Sequence, residues 1–223
     1  MQLDGVEVAA IVAGIAAQAA AWWLVASGVP LWRIAPPVFV ACGLLGILVG
    51  DPVAFRHPAL PGPDVTPAVA IAVGLAGGVA LYGGTLAFTA IAVRWGRFRD
   101  DTIVSYERAA SVPLVAAILL TAISVAGEEL FWRGLVQVEL SRALHGAGGG
   151  VLAAALVTAG LYVIANAASR SLPILAASIV GGTWWALIAV ATGSIVAVAL
   201  SHLTWTWLML AFPPRVGREM MSG

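Results

Sequence analysis

Seven apolar runs follow one another along the chain, at about 6 to 26, 34 to 50, 67 to 93, 112 to 136, 150 to 168, 172 to 192 and 194 to 212, separated by short polar breaks. Roughly 20 residues of helix cross a hydrocarbon layer about 30 Å thick, so each run reads as a transmembrane helix. The third run is longer than a bilayer requires and carries GLAGGVALYGG, which predicts tilt or close approach to a neighbour through small residues. The last two runs are divided only by TGS, a tight hairpin. Residues 51–67 form a Pro-rich connection, and the mixed charges of 94–111 predict an interfacial loop or a short amphipathic helix. With no barrel-like alternation and no internal repeat, the expected fold is all-α: a polytopic transmembrane helical bundle of about seven spans. A single membrane domain over 1–223 is expected, with a three-helix N-terminal part at 1–93 and a core at 110–212 that carries the chemistry.

Composition agrees with this setting. Hydrophobic residues make up 61% and charged residues 10%, and mean hydropathy is +0.99, beyond what a soluble domain carries. Net charge is zero, and the 11 basic residues, all Arg, are scattered, which argues against a nucleic-acid partner. The lone Cys42 has no disulfide partner and reads as a small packing residue. MQLDGVEVAA lacks the basic region of a signal peptide and reads as the start of a retained helix. If 94–111 faces the cytoplasm, Arg33, Arg94, Arg97, Arg99, Arg108, Arg170, Arg215 and Arg218 lie inside and Arg56 and Arg142 outside, which places the N-terminus out and the C-terminus in.

Against that background, GEELFWRG at 127–134 stands out. A charge near the bilayer centre costs on the order of 2.5–3.5 kcal/mol on insertion scales, so Glu128, Glu129 and Arg133 need compensation. Glu129 and Arg133 are four apart and can pair on one helix face, whereas Glu128 is rotated by about 100° and can point elsewhere. Two carboxylates crowded away from water do not both hold charge easily. One is then poised to exchange a proton as a general base or acid near neutral pH. The duller alternative, an ion pair that locks helices, explains only one of the two acids.

Other residues divide between site and scaffold. A mid-span His202 needs a partner and is a candidate base, ligand or donor. Counting about 1.5 Å per residue puts Glu128 and His202 at similar depth and Asn166 noticeably off it. Trp132, beside the acids, is expected to wall the site. Trp184, Trp185, Trp205 and Trp207 read as packing or interfacial anchors, and His57 and His145 as solvated loop residues. Glu128, Glu129 and His202 could hold a divalent metal, the weaker reading beside direct acid–base chemistry; no other cofactor is expected.

The stretch EELFWRG resembles the first motif, Glu-Glu-x-x-x-Arg, of the CPBP family, which comprises type II CAAX prenyl endopeptidases and related bacterial Abi and bacteriocin-immunity proteins. The similarity runs over roughly 110 to 212 and includes TGSIVAVALSHLTWTW, which looks like the family's final helix. It implies an intramembrane endopeptidase of the bacterial plasma membrane, surrounded by membrane lipids, that cleaves a prenylated or membrane-embedded peptide near its C-terminus. By this resemblance Glu128 is the water-activating base, Glu129 the second acid, Arg133 the residue that braces them, and His202 helps activate water or hold the oxyanion. Two motifs depart. Tyr162 occupies the aromatic position of the second motif, but Asn166 stands where the family has histidine, and Thr206 stands where Asn or Asp is expected. Asparagine can donate to an oxyanion but cannot shuttle a proton, and threonine donates with shorter reach. These departures leave room for a catalytically inactive relative acting as an immunity or scaffold protein. A proton-coupled transporter is a third class, against which the lack of a repeat or broken helix counts.

Overall fold

A computed structural model describes residues 4–50, 65–144 and 150–217. Arg56, His57, His145 and Arg218, with most of the Pro-rich connection, lie outside the described residues.

The apolar runs are helices. They are α1 (Gly5–Ala26), α2 (Leu31–Val49), α3 (Pro67–Ala92), α5 (Leu114–Ala143), α6 (Gly150–Ala167), α7 (Leu172–Thr192) and α8 (Ile195–Ala211), with α4 (Gly96–Ala109) between α3 and α5. Six of the seven are long and apolar enough to cross a membrane, and α8 is a shorter apolar helix. Among the described residues there is no strand. The chain is an integral, multi-pass membrane protein. Local signals set the ends. The Asp4 side chain accepts from Val6 and Glu7 N–H groups at 2.8 Å while Glu7 reaches back to the Asp4 N–H at 2.9 Å, a capping box that starts α1. In the TGS hairpin, Gly193 ends α7 in the left-handed region (φ 58°) and the Ser194 hydroxyl caps α8 at Ala197 N–H.

Segment 94–111 resolves into α4. Its buried face, Phe98, Thr102 and Tyr106, recurs at helical spacing while its arginines turn outward. Asp101 accepts the Leu172 N–H at 3.0 Å, which ties α4 to the start of α7. Burial pushes the Tyr106 phenol well up, so it stays a donor, and it bonds the Met209 carbonyl at 3.3 Å.

The fourth span is longer than the sequence suggests. Hydropathy falls after 136, yet the helix continues to Ala143 because the late charges neutralise each other: Arg142 donates to the buried Glu139 at 2.6 Å. Glu128 therefore sits near the midpoint of α5. Just after it, Trp132–Gln137 winds as π-helix, a widened turn found mostly as a local bulge and frequently at functional sites.

Helix pairing joins the two halves of the chain. α2 lies along α5 and α3 along α8, so the N-terminal helices flank the helices that carry the acids and His202 instead of forming a layer of their own. Both crossings use missing side chains. A Cβ on Gly127 would run into the Phe39 carbonyl, and one on Gly43 would sit 2.6 Å from the Gly127 Cα. In α3, a Cβ on Gly78 would come within 2.6 Å of the Ser201 carbonyl and one on Gly74 within 2.7 Å of the Ala197 carbonyl, whereas Cβ atoms on Gly83 and Gly84 would meet nothing within 4 Å. Gly127→Val should lower stability in detergent by about 1–3 kcal/mol or prevent folding, because backbone cannot move aside. Gly160→Ala, where a new Cβ meets nothing within 4 Å, should stay within about 0.5 kcal/mol of wild type. Thermal unfolding of the two purified variants checks the contrast.

Candidate active site

The α2–α5 crossing at Gly127 sets the next two residues, Glu128 and Glu129, inside the bundle, where they are 6% and 1% exposed. Being adjacent, they leave the helix in different directions and meet different partners.

Glu129 is held from two sides. Arg133, one turn on, lies 3.2 Å from one carboxylate oxygen and donates to the other at 3.4 Å. His202, from α8, places Nδ1 2.7 Å from Glu129 Oε1. A neutral imidazole that donates Nδ1–H to this carboxylate leaves Nε2 as its acceptor. Arg133 is itself boxed in: Nη2 donates to the Gly182 carbonyl of α7 at 3.1 Å, and the guanidinium lies 5.6 Å from the Tyr162 ring centre and 5.9 Å from that of Trp185. One turn further, Gln137 donates to the Ala186 carbonyl at 3.1 Å. The π-helical turn is thus pinned to α7 by two side chains.

Glu128 is held more loosely. The Tyr162 hydroxyl of α6 reaches its Oε1 at 3.4 Å. Trp132 is fully buried, packs edge-on against Tyr162 at 5.3 Å, and donates its indole N–H to Gln18 Oε1 at 2.9 Å. It forms part of the inner wall.

The structure therefore brings Glu128, Glu129, Arg133, His202, Tyr162 and Trp132 together. Asn166 and Thr206 are placed otherwise. Asn166 is buried, so it does not face lipid, but its Nδ2 donates to the Tyr162 carbonyl of its own helix at 2.8 Å. Thr206 likewise donates to the His202 carbonyl at 3.0 Å. Glu128 turns to Tyr162 while the Arg133 guanidinium lies beside Glu129. Among the described residues no group of three or more His, Cys, Asp or Glu side chains is arranged to hold a metal ion.

Residues 110–208 match the family model described as type II CAAX prenyl endopeptidase Rce1-like. Over this segment the chain is similar to the Rce1-like family. No curated protein and no solved structure matches the chain. The matched Rce1-like segment contains both acids, Arg133, Tyr162 and His202, and leaves out α1 to α4.

Some site residues escape sequence reasoning. Trp185, read as packing, stacks on His202 with ring centres 3.6 Å apart and planes 22° from parallel, fixing the imidazole plane. Trp184 and Trp207 fit the anchor reading better, each being 37% exposed. Gln18 and Gln137 lie in apolar runs, where an amide is itself the signal: fully buried amides in spans need partners. Removing Arg133 leaves the buried Glu129 charge with His202 alone, so Arg133→Met should cost about 3–5 kcal/mol, and Glu129→Leu added to it should restore part of that loss. Denaturant unfolding of the single and double variants measures the difference.

Proposed function

We propose that this Rce1-like protein is an intramembrane endopeptidase in which Glu128 activates water against a peptide bond. One observation carries the reading: two adjacent buried carboxylates have unequal partners. Glu129 is committed to Arg133 and His202, whereas Glu128 has one long contact to Tyr162 and keeps acceptor capacity for a water. In the proposed step the water oxygen bonds to the carbonyl carbon as one of its protons passes to Glu128. The carbonyl π electrons move onto oxygen. Collapse then breaks the C–N bond and the proton goes to the leaving amine. His202, oriented by Glu129 and the Trp185 face, offers Nε2 as a second proton acceptor near the same bond.

The substrate reading is a membrane-embedded or prenylated peptide, in a bacterial plasma membrane. It is supported by a cavity of about 450 Å³ between α3, α4, α7 and α8, lined almost wholly by apolar groups. Its wall includes Gly181, next to the Gly182 carbonyl that takes Arg133, and Trp205, which meets Trp185 edge-on at 5.7 Å. A hydrocarbon chain held there would lie one aromatic layer from His202.

A second reading, a silent relative that binds a membrane partner, is favoured by one observation. Asn166 gives one of its two amide N–H groups, and Thr206 its hydroxyl, to carbonyls of their own helices. Cleavage of prenylated and unprenylated membrane peptides by purified protein in nanodiscs decides between them. Peptidase activity predicts turnover that Glu128→Gln lowers by about 10²–10⁴-fold without loss of folded protein. The silent-partner reading predicts no turnover by wild type, gain of turnover in Asn166→His, and an effect of Glu128→Gln on partner binding or stability alone.

A further inference from the structure

Four unpaired polar atoms recur at four-residue intervals on α5. Glu129, Arg133, Gln137 and Ser141 are each no more than 2% exposed. Glu129 Oε2 accepts no hydrogen bond, although Arg133 Nη1 lies 3.2 Å away, and Arg133 Nε, Gln137 Oε1 and Ser141 Oγ have no hydrogen-bond partner among the described residues. Five other buried polar atoms share that condition, but they are spread over α1, α6, α7 and α8. Several helical hydroxyls of this chain, those of Thr102, Ser105, Ser124 and Thr192, donate back to the carbonyl four residues earlier; Ser141 does not. Buried polar atoms without partners are few and costly, so a run of them along one helix calls for a ligand that answers the whole run.

The chemistry of these atoms fits water. Gln137 Nε2 donates to the Ala186 carbonyl, which can only accept, so the free end of the amide is its oxygen. Along the stripe the groups then alternate: a carboxylate acceptor, a guanidinium donor, an amide acceptor and a hydroxyl that does both. Residues four apart on a helix are separated by roughly 5–6 Å, and a water hydrogen-bonded at about 2.8 Å on either side spans that interval. The two middle groups are held in register, since Arg133 reaches the Gly182 carbonyl and Gln137 that of Ala186, four residues further along α7. A cation would suit only the acceptors and an anion only the donors. Water serves both, and buried water ordinarily takes such polar atoms as its partners.

The outer end of the stripe lies near the surface: Ser141 adjoins Arg142, whose side chain is 23% exposed. The inner end is the Glu129–Arg133 pair. There the guanidinium lies 5.6 Å from the centre of the Tyr162 ring, whose hydroxyl reaches Glu128. We infer that the stripe lines a file of water molecules running about 18 Å along α5, from Ser141 to the Glu129–Arg133 pair. That the file supplies the hydrolytic water rests on the reading of Glu128 as the water-activating base; the file itself does not. No residue of the stripe lines the apolar cavity, so hydrocarbon and water reach the site by separate routes.

The test is hydrogen–deuterium exchange of the protein in nanodiscs, read by NMR on isotope-labelled arginine and tryptophan side chains. Relative to its intrinsic rate, Arg133 Nε–H should be protected at least about tenfold less than Trp132 Nε1–H, which is as deeply buried but bonded to Gln18 off the stripe. Gln137→Leu removes a middle acceptor and should raise the protection of Arg133 Nε–H by about tenfold or more. Ser141→Val, at the outer end, should act in the same direction and gives the answer if Gln137→Leu does not fold. A variant that merely loosened the fold would lower protection, the opposite sign. Equal protection of Arg133 Nε–H and Trp132 Nε1–H in wild type overturns the inference, as does exchange that both variants leave unchanged. Turnover of the membrane peptides is read separately. With Glu128 as base, both variants should lower kcat by about tenfold with KM within about threefold of wild type. Exchange that follows the stripe without any cleavage by wild type keeps the water file and removes the hydrolase reading. Cleavage by a protein whose Arg133 Nε–H is fully protected does the reverse.

Discussion

Charge buried inside a helical bundle must be answered by protein, and the double tie on Glu129 is that answer here. The carboxylate is 1% exposed and sits between a guanidinium from its own helix and an imidazole from α8. Each partner is then fixed by something else: Arg133 by the Gly182 carbonyl and two aromatic rings, His202 by the face of Trp185. Through these ties a single carboxylate sets the mutual positions of α5, α7 and α8. Desolvated ion pairs are weak as sources of net stability but severe on geometry, because any displacement leaves a charge uncompensated. The neighbouring Glu128 benefits, since its backbone is held by an arrangement that its own chemistry does not have to maintain.

Close backbone contact is the second constraint. Gly127 immediately precedes the acids and lies against the Phe39 carbonyl of α2, so the depth of the acids depends on a helix outside the Rce1-like segment. The segment similar to the family and the construction of the site therefore do not share a boundary. The chemistry-bearing residues fall within 110–208, while the helices that press them into place, and the Gln18 amide that accepts from Trp132, come from the N-terminal part.

The legible part of the sequence was whatever depends on local spacing. Apolar runs of membrane length marked the helices, the i, i+4 relation marked the Glu129–Arg133 pair, and a histidine in an apolar run marked His202 as needing a partner. Contacts between distant segments were not legible: that His202 meets Glu129 and not Glu128, that Trp185 stacks on it, and that α2 and α3 flank the helices of the acids and of His202 are matters of tertiary arrangement. The end of α5 was misplaced because hydropathy counts Glu139 and Arg142 as two polar residues. The folded helix counts them as one neutralised pair.

The π-helical stretch Trp132–Gln137 carries a consequence for comparing relatives. A π-bulge is what an α-helix becomes when it absorbs one extra residue without breaking, and each residue represents about 100° of rotation. Everything on α5 beyond Gln137 is therefore turned by about one residue's worth relative to a uniform helix continued from Glu128. An ungapped alignment of this protein with a relative whose helix lacks the bulge would match the Glu-Glu-x-x-x-Arg motif correctly and then assign inward positions to outward side chains for the rest of the span. A single-residue gap just after Arg133, inside an otherwise continuous helix, would be the physically sensible placement.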